Sequence, residues 1–519
     1  ITTGAGNLWV SSGTVNFNGG YNLTGTNTFT SGTANFNGNY NVSGPVVITG
    51  GSVYFNNAGI GAVNVPTLAM TGGGTLGGTT SVTASSFTWN GGWLRVPLTI
   101  GGGSIGSGTT KYIVGGTLIN AGTLTIADSI NMGTDGYGAT NYGVISNLVG
   151  SVINLTADVN VNGYYNTGLI YNAGQLNKTG GTGTANFNGG TLHNSGSVAI
   201  SSGTLNLANG GSSSGNITAN AGVTLQFGGG TFTHEPGSIT TGAGNLWVSS
   251  GTVNFNGGYN LTGTNTFTSG TANFNGNYNV SGPMVITSGS VYFNNDGVVN
   301  VPTLTMTSGG TLSGTTSVTA SSFTWNGGWL RVPLTIGNGS IGSGTTKYIV
   351  GGTLINAGAL TIADSINMGT DGYGATNYGV ISNLVGSVIN LTADVNVNGY
   401  YNTGLIYNAG QLNKTGGTGT ANFNGGTLHN SGSVAISSGT LNLANGGSSS
   451  GNITANAGVT LQFGGGTFTH EPGSITTGAG NLWVSSGTVN FNGGYNLTGT
   501  NTFTSGTANF NGNYNVSGP

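Results

Sequence analysis

The amino-acid sequence predicts an all-β chain wound as a right-handed parallel β-helix, or β-solenoid, with essentially no α-helix. Three observations carry this expectation. One phrase returns every 19 residues: GTVNFN begins at Gly13, GTANFN at Gly32 and GSVYFN at Gly51. Within each phrase apolar residues alternate with Thr, Asn or Tyr, the period-2 pattern of a strand with one buried face. The composition also departs from that of ordinary globular domains: 3% of residues are charged and 106 of 519 are glycine. Typical soluble proteins are roughly a quarter charged and about 7% glycine.

Each element follows from these columns. Val15, Ala34 and Val53 align, as do Phe17, Phe36 and Phe55, and Asn18, Asn37 and Asn56. A glycine precedes each strand and an Asn-Gly or Asn-Asn pair follows it, which is turn chemistry. One strand per phrase, repeated in register, predicts a core ladder of Val15, Val53, Phe17, Phe36 and Phe55, each coil laying its Phe on the next. Asn columns can hydrogen-bond from coil to coil at the turns, and stacked Phe supplies apolar burial. Similar phrases continue along the chain, among them SVTASSFTWNGGWLRVP, TLINAGTLTIADSINMG and SSGTLNLANGG. No stretch sustains a 3.6-residue period. A right hand is expected because parallel crossovers nearly always have it.

A longer period overlies the coil. ITTGAGNLWVSSGTVNFNGGYN starts at Ile1, Ile239 and Ile475, dividing the chain into repeats 1–238, 239–474 and 475–519 with no linkers between them. At roughly 20 residues per coil, one long repeat holds about 12 coils.

Six basic and nine acidic residues leave a net charge of −3, too weak a field to attract nucleic acid or an anionic membrane. There are no cysteines, so no disulfide and no thiolate chemistry. No run of 18 apolar residues occurs, and no membrane insertion is expected of this segment. HExxH and the calcium-binding glycine-rich nonapeptide are both absent. His193, His429, His234-Glu235 and His470-Glu471 have too few neighbouring ligands to mark a metal site. Neither a cofactor nor a metal is expected.

Phrases such as SGTVNFNGGYNLTGTNTFTSGTANFN and SSGTLNLANGGSSSGNITANAGVTLQF resemble the repetitive β-helical shafts of bacterial surface and secreted adhesins, namely autotransporter passengers and filamentous-haemagglutinin-like proteins. The resemblance implies an extracellular or cell-surface location and roles in adhesion, cell–cell contact or matrix and filament assembly. With the residues, it makes a structural fibre or long surface shaft the expected function, with self-association, end to end or lateral, as the expected partnership.

A different class of function is a module that binds glycan or a neighbouring cell through loops. The coil pattern breaks most at NMGTDGYGATNYGVISN and NVNGYYNTGLIYN, and loops on a rigid scaffold carry binding. This makes Asp135, Tyr137, Tyr142, Tyr164 and Tyr165 the candidate contact residues, with Asp371, Tyr373, Tyr378, Tyr400 and Tyr401 as their counterparts. Trp89 and Trp93, flanking Asn-Gly-Gly beside Arg95, could form a sugar-stacking face. A polysaccharide-cleaving enzyme would need two carboxylates about one bond. Asp128, Asp135, Asp158 and Glu235 are the only acids of the first repeat, and the expectation is no enzyme.

Overall fold

A computed structural model of the chain describes every residue except 58, 60, 134–140, 165–166, 370–376, 401–402 and 516. The described residues contain strands and turns and no α-helix. The strands wind into a parallel β-solenoid of about 24 turns. Two compact units are formed, one by Ile1–Gly263 with Asn275–Asn277 and the other by Thr264–Phe274 with Tyr278–Pro519.

In the first unit successive turns stack their strands in three columns. The first turn supplies Thr2–Gly4, Leu8–Val10 and Thr14–Phe17. They pair in parallel with the next turn, Thr2 on Tyr21, Leu8 on Asn27 and Thr14 on Thr33, each 19 residues on. Strict alternation then sorts the side chains: in Ser52–Phe55, Val53 and Phe55 are buried while Ser52 and Tyr54 face outward. Phe17 stacks on Phe36 at 4.6 Å and Phe36 on Phe55 at 5.3 Å. Tyr21 and Tyr40 meet this ladder edge-on at 4.7–5.1 Å. Val15 and Phe17 lie in the first coil and stay partly open, whereas their copies Val253 and Phe255 are buried.

Asparagine ladders run on both sides of the wall. Outside, Asn37 Nδ2 donates to Asn18 Oδ1 at 2.7 Å and Asn56 Nδ2 to Asn37 Oδ1 at 3.0 Å. Inside, at the corner between the first and second columns, Asn120, Asn147, Asn172 and Asn194 are buried. Each passes an amide hydrogen to the next, at 2.8, 2.7 and 2.6 Å, and Asn194 passes one to Ser213 Oγ at 2.9 Å. The second amide hydrogen of Asn147 and of Asn172 reaches the carbonyl of the residue that opens a strand, Gln175 O or Ser197 O, at 2.9 Å. Each buried amide of the ladder therefore finds its partners in the coil that follows.

The long repeat is not a whole number of turns. The third column runs from Thr14–Phe17 through Thr33–Phe36, Ser52–Phe55, Thr75–Gly78, Gly92–Leu94, Lys111–Ile113 and Ile130–Met132. It continues through Asn160–Gly163, Thr184–Asn188, Thr204–Leu207 and Thr224–Phe227 to Asn245–Val248. These eleven pairings end on the copy of the Asn7–Val10 stretch. The copy of Thr14–Phe17 itself, Thr252–Phe255, lies one face further on and pairs with Thr231–His234. A repeat is thus eleven turns and about a third, or about 21 residues per turn, slightly under the expected count of about 12. Some turns use much more chain than 19 residues: Ile130 pairs with Val161, and Val161 with Phe187.

The second unit shows the same phase by itself. Eleven pairings lead from Thr271–Phe274 to Asn501–Phe503, the copy of Asn265–Phe267, again one face short of its own copy.

Replacing Asn147 by Ala should loosen the fold by about 2–3 kcal/mol, because the buried amides on either side, Asn120 and Asn172, each lose a partner at once. The exposed Asn37→Ala should stay within about 0.5 kcal/mol. Amide hydrogen exchange across residues 143–178 in the two variants measures the difference; equal protection in both would show that the buried ladder adds nothing.

Candidate functional site

Of the loop residues expected to make contacts, Asp135, Tyr137, Tyr165, Asp371, Tyr373 and Tyr401 lie outside the described residues. Tyr142 and Tyr164, with their counterparts Tyr378 and Tyr400, present exposed rings. Their backbones are held: Tyr142 O accepts from Gly115 N at 2.9 Å and Tyr164 O from Thr167 N at 3.1 Å.

Two acids of the first repeat, Asp128 and Asp158, are placed by lysines. Lys178 is fully buried in the ladder between Leu155 and Ile200. Its ammonium donates to Asp158 Oδ1 at 3.0 Å, to Gly181 O at 3.1 Å, and to Gly180 O. Lys111, equally buried, donates to Asp128 Oδ2 at 2.7 Å and Thr109 O at 3.3 Å. A buried ammonium needs both a counter-charge and acceptors for its remaining protons, and each lysine finds them at a turn. The Lys178 hydrogen bond holds the Asp158 carboxyl below the usual carboxylate range. Burial pulls Asp128 upward, but Lys111 and the Ser129 N–H bonded to it outweigh that and lower it too. Lys347–Asp364 and Lys414–Asp394 repeat the pairs in the second unit. Among the described residues no group of three His, Cys, Asp or Glu could hold a metal.

The two tryptophans of FTWNGGWLRV are separated rather than paired. Trp89 is wholly buried and its Nε1 donates to Gly91 O at 3.0 Å. Trp93 faces outward, with Tyr112 stacked on it at 4.0 Å and the Arg95 guanidinium 5.0 Å from its ring. Both neighbours occupy ring surface that a sugar would need.

A second outward aromatic pair is open. Ser146, Tyr171, His193 and Ser212 align on successive turns. Tyr171 stacks on His193 at 5.2 Å with 44% of its own surface exposed, and His193 Nδ1 lies 3.2 Å from Ser212 Oγ. They form one wall of a shallow groove of ≈ 270 Å³, with Ala173, Ser195, Ser214 and Glu235 opposite and the buried Asn172 and Asn194 as floor. Beyond the far wall runs a glycine column. A Cβ on Gly196 would sit 2.0 Å from Gly174 O, and one on Gly215 would sit 1.8 Å from Gly196 O. Only glycine permits that approach. The sequence singled out His193 and Glu235 as isolated polar residues; 42 positions separate them, and only the winding sets them along one groove.

His234 ends the inner ladder. It follows Ser213 in register and stacks on Phe255 at 4.6 Å, joining the asparagine ladder of one repeat to the aromatic ladder of the next. Its Nδ1 lies 3.1 Å from Thr240 Oγ1, while Nε2 is buried without a hydrogen-bond partner. Burial pushes its pKa down to about 3, and that of His470 likewise.

Fold and surface together define a tandem-repeat parallel β-solenoid with few charges, its lysines paired and most of its phenylalanines internal. No family model, curated protein or solved structure matches the chain.

Stability should fall with acid in two stages. Unfolded histidine titrates near 6.5, so between pH 6.5 and about 3 the unfolded chain binds more protons than the native one. The histidine contribution is therefore complete above pH 6.5 and is lost below it, by up to about 1.4 kcal/mol per pH unit for each residue. The lowered aspartates contribute fully above about pH 4 and lose their contribution only below it. His234→Phe with His470→Phe should flatten the profile between pH 6.5 and 4 and leave the lower fall intact. Denaturant melts at stepped pH test this, and an unchanged slope would refute it.

Proposed function

We propose that the chain is an extracellular structural fibre or long cell-surface shaft without catalytic activity, serving adhesion, cell–cell contact or matrix assembly. One observation carries this reading: a sequence repeat joins the next by ordinary coil pairing. In the first unit Asn216–Ala219 pairs with Ile239–Gly242, Thr224–Phe227 with Asn245–Val248, and Thr231–His234 with Thr252–Phe255, all across position 238/239. In the second unit the 474/475 junction is crossed in the same three ways. Repeats can therefore be added without linkers, and stability grows as a sum of neighbouring interfaces. A surface covered by Asn, Thr, Ser and Gly gives salt and pH little to act on, which suits an exposed scaffold. Asp128 and Asp158 are each engaged by a buried lysine.

Oriented material should diffract at an axial spacing of about 4.8 Å, with a longer repeat of roughly 54 Å from eleven and a third turns. Chains of one, two and three repeats should melt at rising temperatures with constant β signal per residue. No turnover is expected on neutral or acidic polysaccharides. Cleavage that disappears in Asp128→Asn or Asp158→Asn, or fibres without the axial spacing, would overturn the reading.

A further inference from the structure

The groove between Tyr171 and Glu235 has features that a scaffold alone does not require. Its outward aromatic pair is flanked along the column by Ser146 and Ser212, residues too small to cover the ring faces. The Trp93–Tyr112 pair, by contrast, carries a guanidinium beside it. Asn172 and Asn194, at the floor, turn their amides inward and give their hydrogens to the inner ladder and to backbone carbonyls. The groove is therefore complete when empty, and a ligand would meet rings, hydroxyls and a carboxylate on a rigid base. The same constellation recurs in the second unit: Tyr407 stacks on His429 at 5.3 Å, His429 Nδ1 lies 3.2 Å from Ser448 Oγ, and Glu471 lines a groove of ≈ 300 Å³.

We propose that each groove is a binding site for a linear glycan of neutral or amino sugars, laid along the column of turns. A pyranose ring has an apolar C–H face and a hydroxyl rim, and the lining matches both. Tyr171 and His193 offer aromatic surface with one wet side. Ser195, Ser212 and Ser214 donate and accept along the walls, and Glu235 accepts from hydroxyl or ammonium groups. The turns are spaced by about 4.8 Å, so side chains from successive coils meet successive parts of an extended chain. A neighbouring open depression lined by Gly174, Gly196 and Gly215 shares Ala173, Ser195 and Ser214 with the far wall, so a chain can approach from that side. No lysine or arginine lines either groove, so a polyuronate would meet Glu235 without a counter-charge. The site is separate from the fibre reading, since a shaft needs no such groove.

The test uses the full chain titrated calorimetrically with three β-linked hexasaccharides, of glucose, glucosamine and galacturonate, with saturation-transfer NMR to identify the protons touched. Glucose and glucosamine hexamers should bind at two sites per chain, and the galacturonate hexamer should not. Tyr171→Ala with Tyr407→Ala should weaken binding of both by at least about tenfold, while Tyr171→Phe with Tyr407→Phe should retain it. Glu235→Gln with Glu471→Gln should leave the glucose hexamer within about twofold and remove any preference for glucosamine. The far-UV β spectrum should be unchanged in all variants, because these side chains are at the surface. Failure of all three sugars to bind, binding indifferent to loss of the tyrosines, or preference for the galacturonate hexamer would each overturn the proposal.

Discussion

In-register pairing of each coil on the one before it is the constraint on which the rest depends. A single turn buries too little apolar surface to stand alone, so its strands gain stability only when like residues fall on like. This is why Phe17, Phe36 and Phe55 form a stacked ladder and why asparagines recur at the corners. It also accounts for the glycines: carbonyls of one coil lie so close beneath the next that a side chain at Gly196 or Gly215 would collide with the backbone. Polar groups are tolerated inside wherever the stacking itself supplies their hydrogen-bond partners.

The third of a turn left over by each repeat shapes how ladders meet. A whole number of turns would lay the aromatic ladder of one repeat directly above that of the last. Instead, Thr252–Phe255 arrives on the face of the buried asparagine ladder. His234 makes that junction, planar enough to stack on Phe255 and polar enough to reach Thr240. Its buried, unpartnered Nε2 is the cost of serving both neighbours. His470 does the same with Phe491 and Thr476 in the second unit.

The few charges are used sparingly. Two of the three cations of the first repeat are buried lysines, each clamped to an aspartate at a turn, so charge serves corner geometry rather than a long-range field. What faces solvent is a largely polar wall with exposed rings at Tyr142, Tyr164 and Tyr171, and Tyr171 stacks on a histidine beside a groove that recurs at Tyr407. The proposed shaft and the proposed binding groove make compatible demands on this wall, since the buried asparagine ladder runs directly behind the groove.

The sequence by itself determined the period, the strands and the ladders. Alternation and a 19-residue spacing are local properties, so the columns of Val, Phe and Asn were legible from a few dozen residues. What tertiary structure decided was everything that depends on accumulated length. Turns that pair Ile130 with Val161 and others that pair Val15 with Ala34 make the face reached by a distant residue a sum over many coils, which no local pattern encodes. Hence the sequence could not place Trp89 inside and Trp93 outside, join Lys178 to Asp158 across a turn, or bring Tyr171, His193 and Glu235 to one corner. Nor could it show that the repeat closes a third of a turn late, since that phase exists only once the chain is wound.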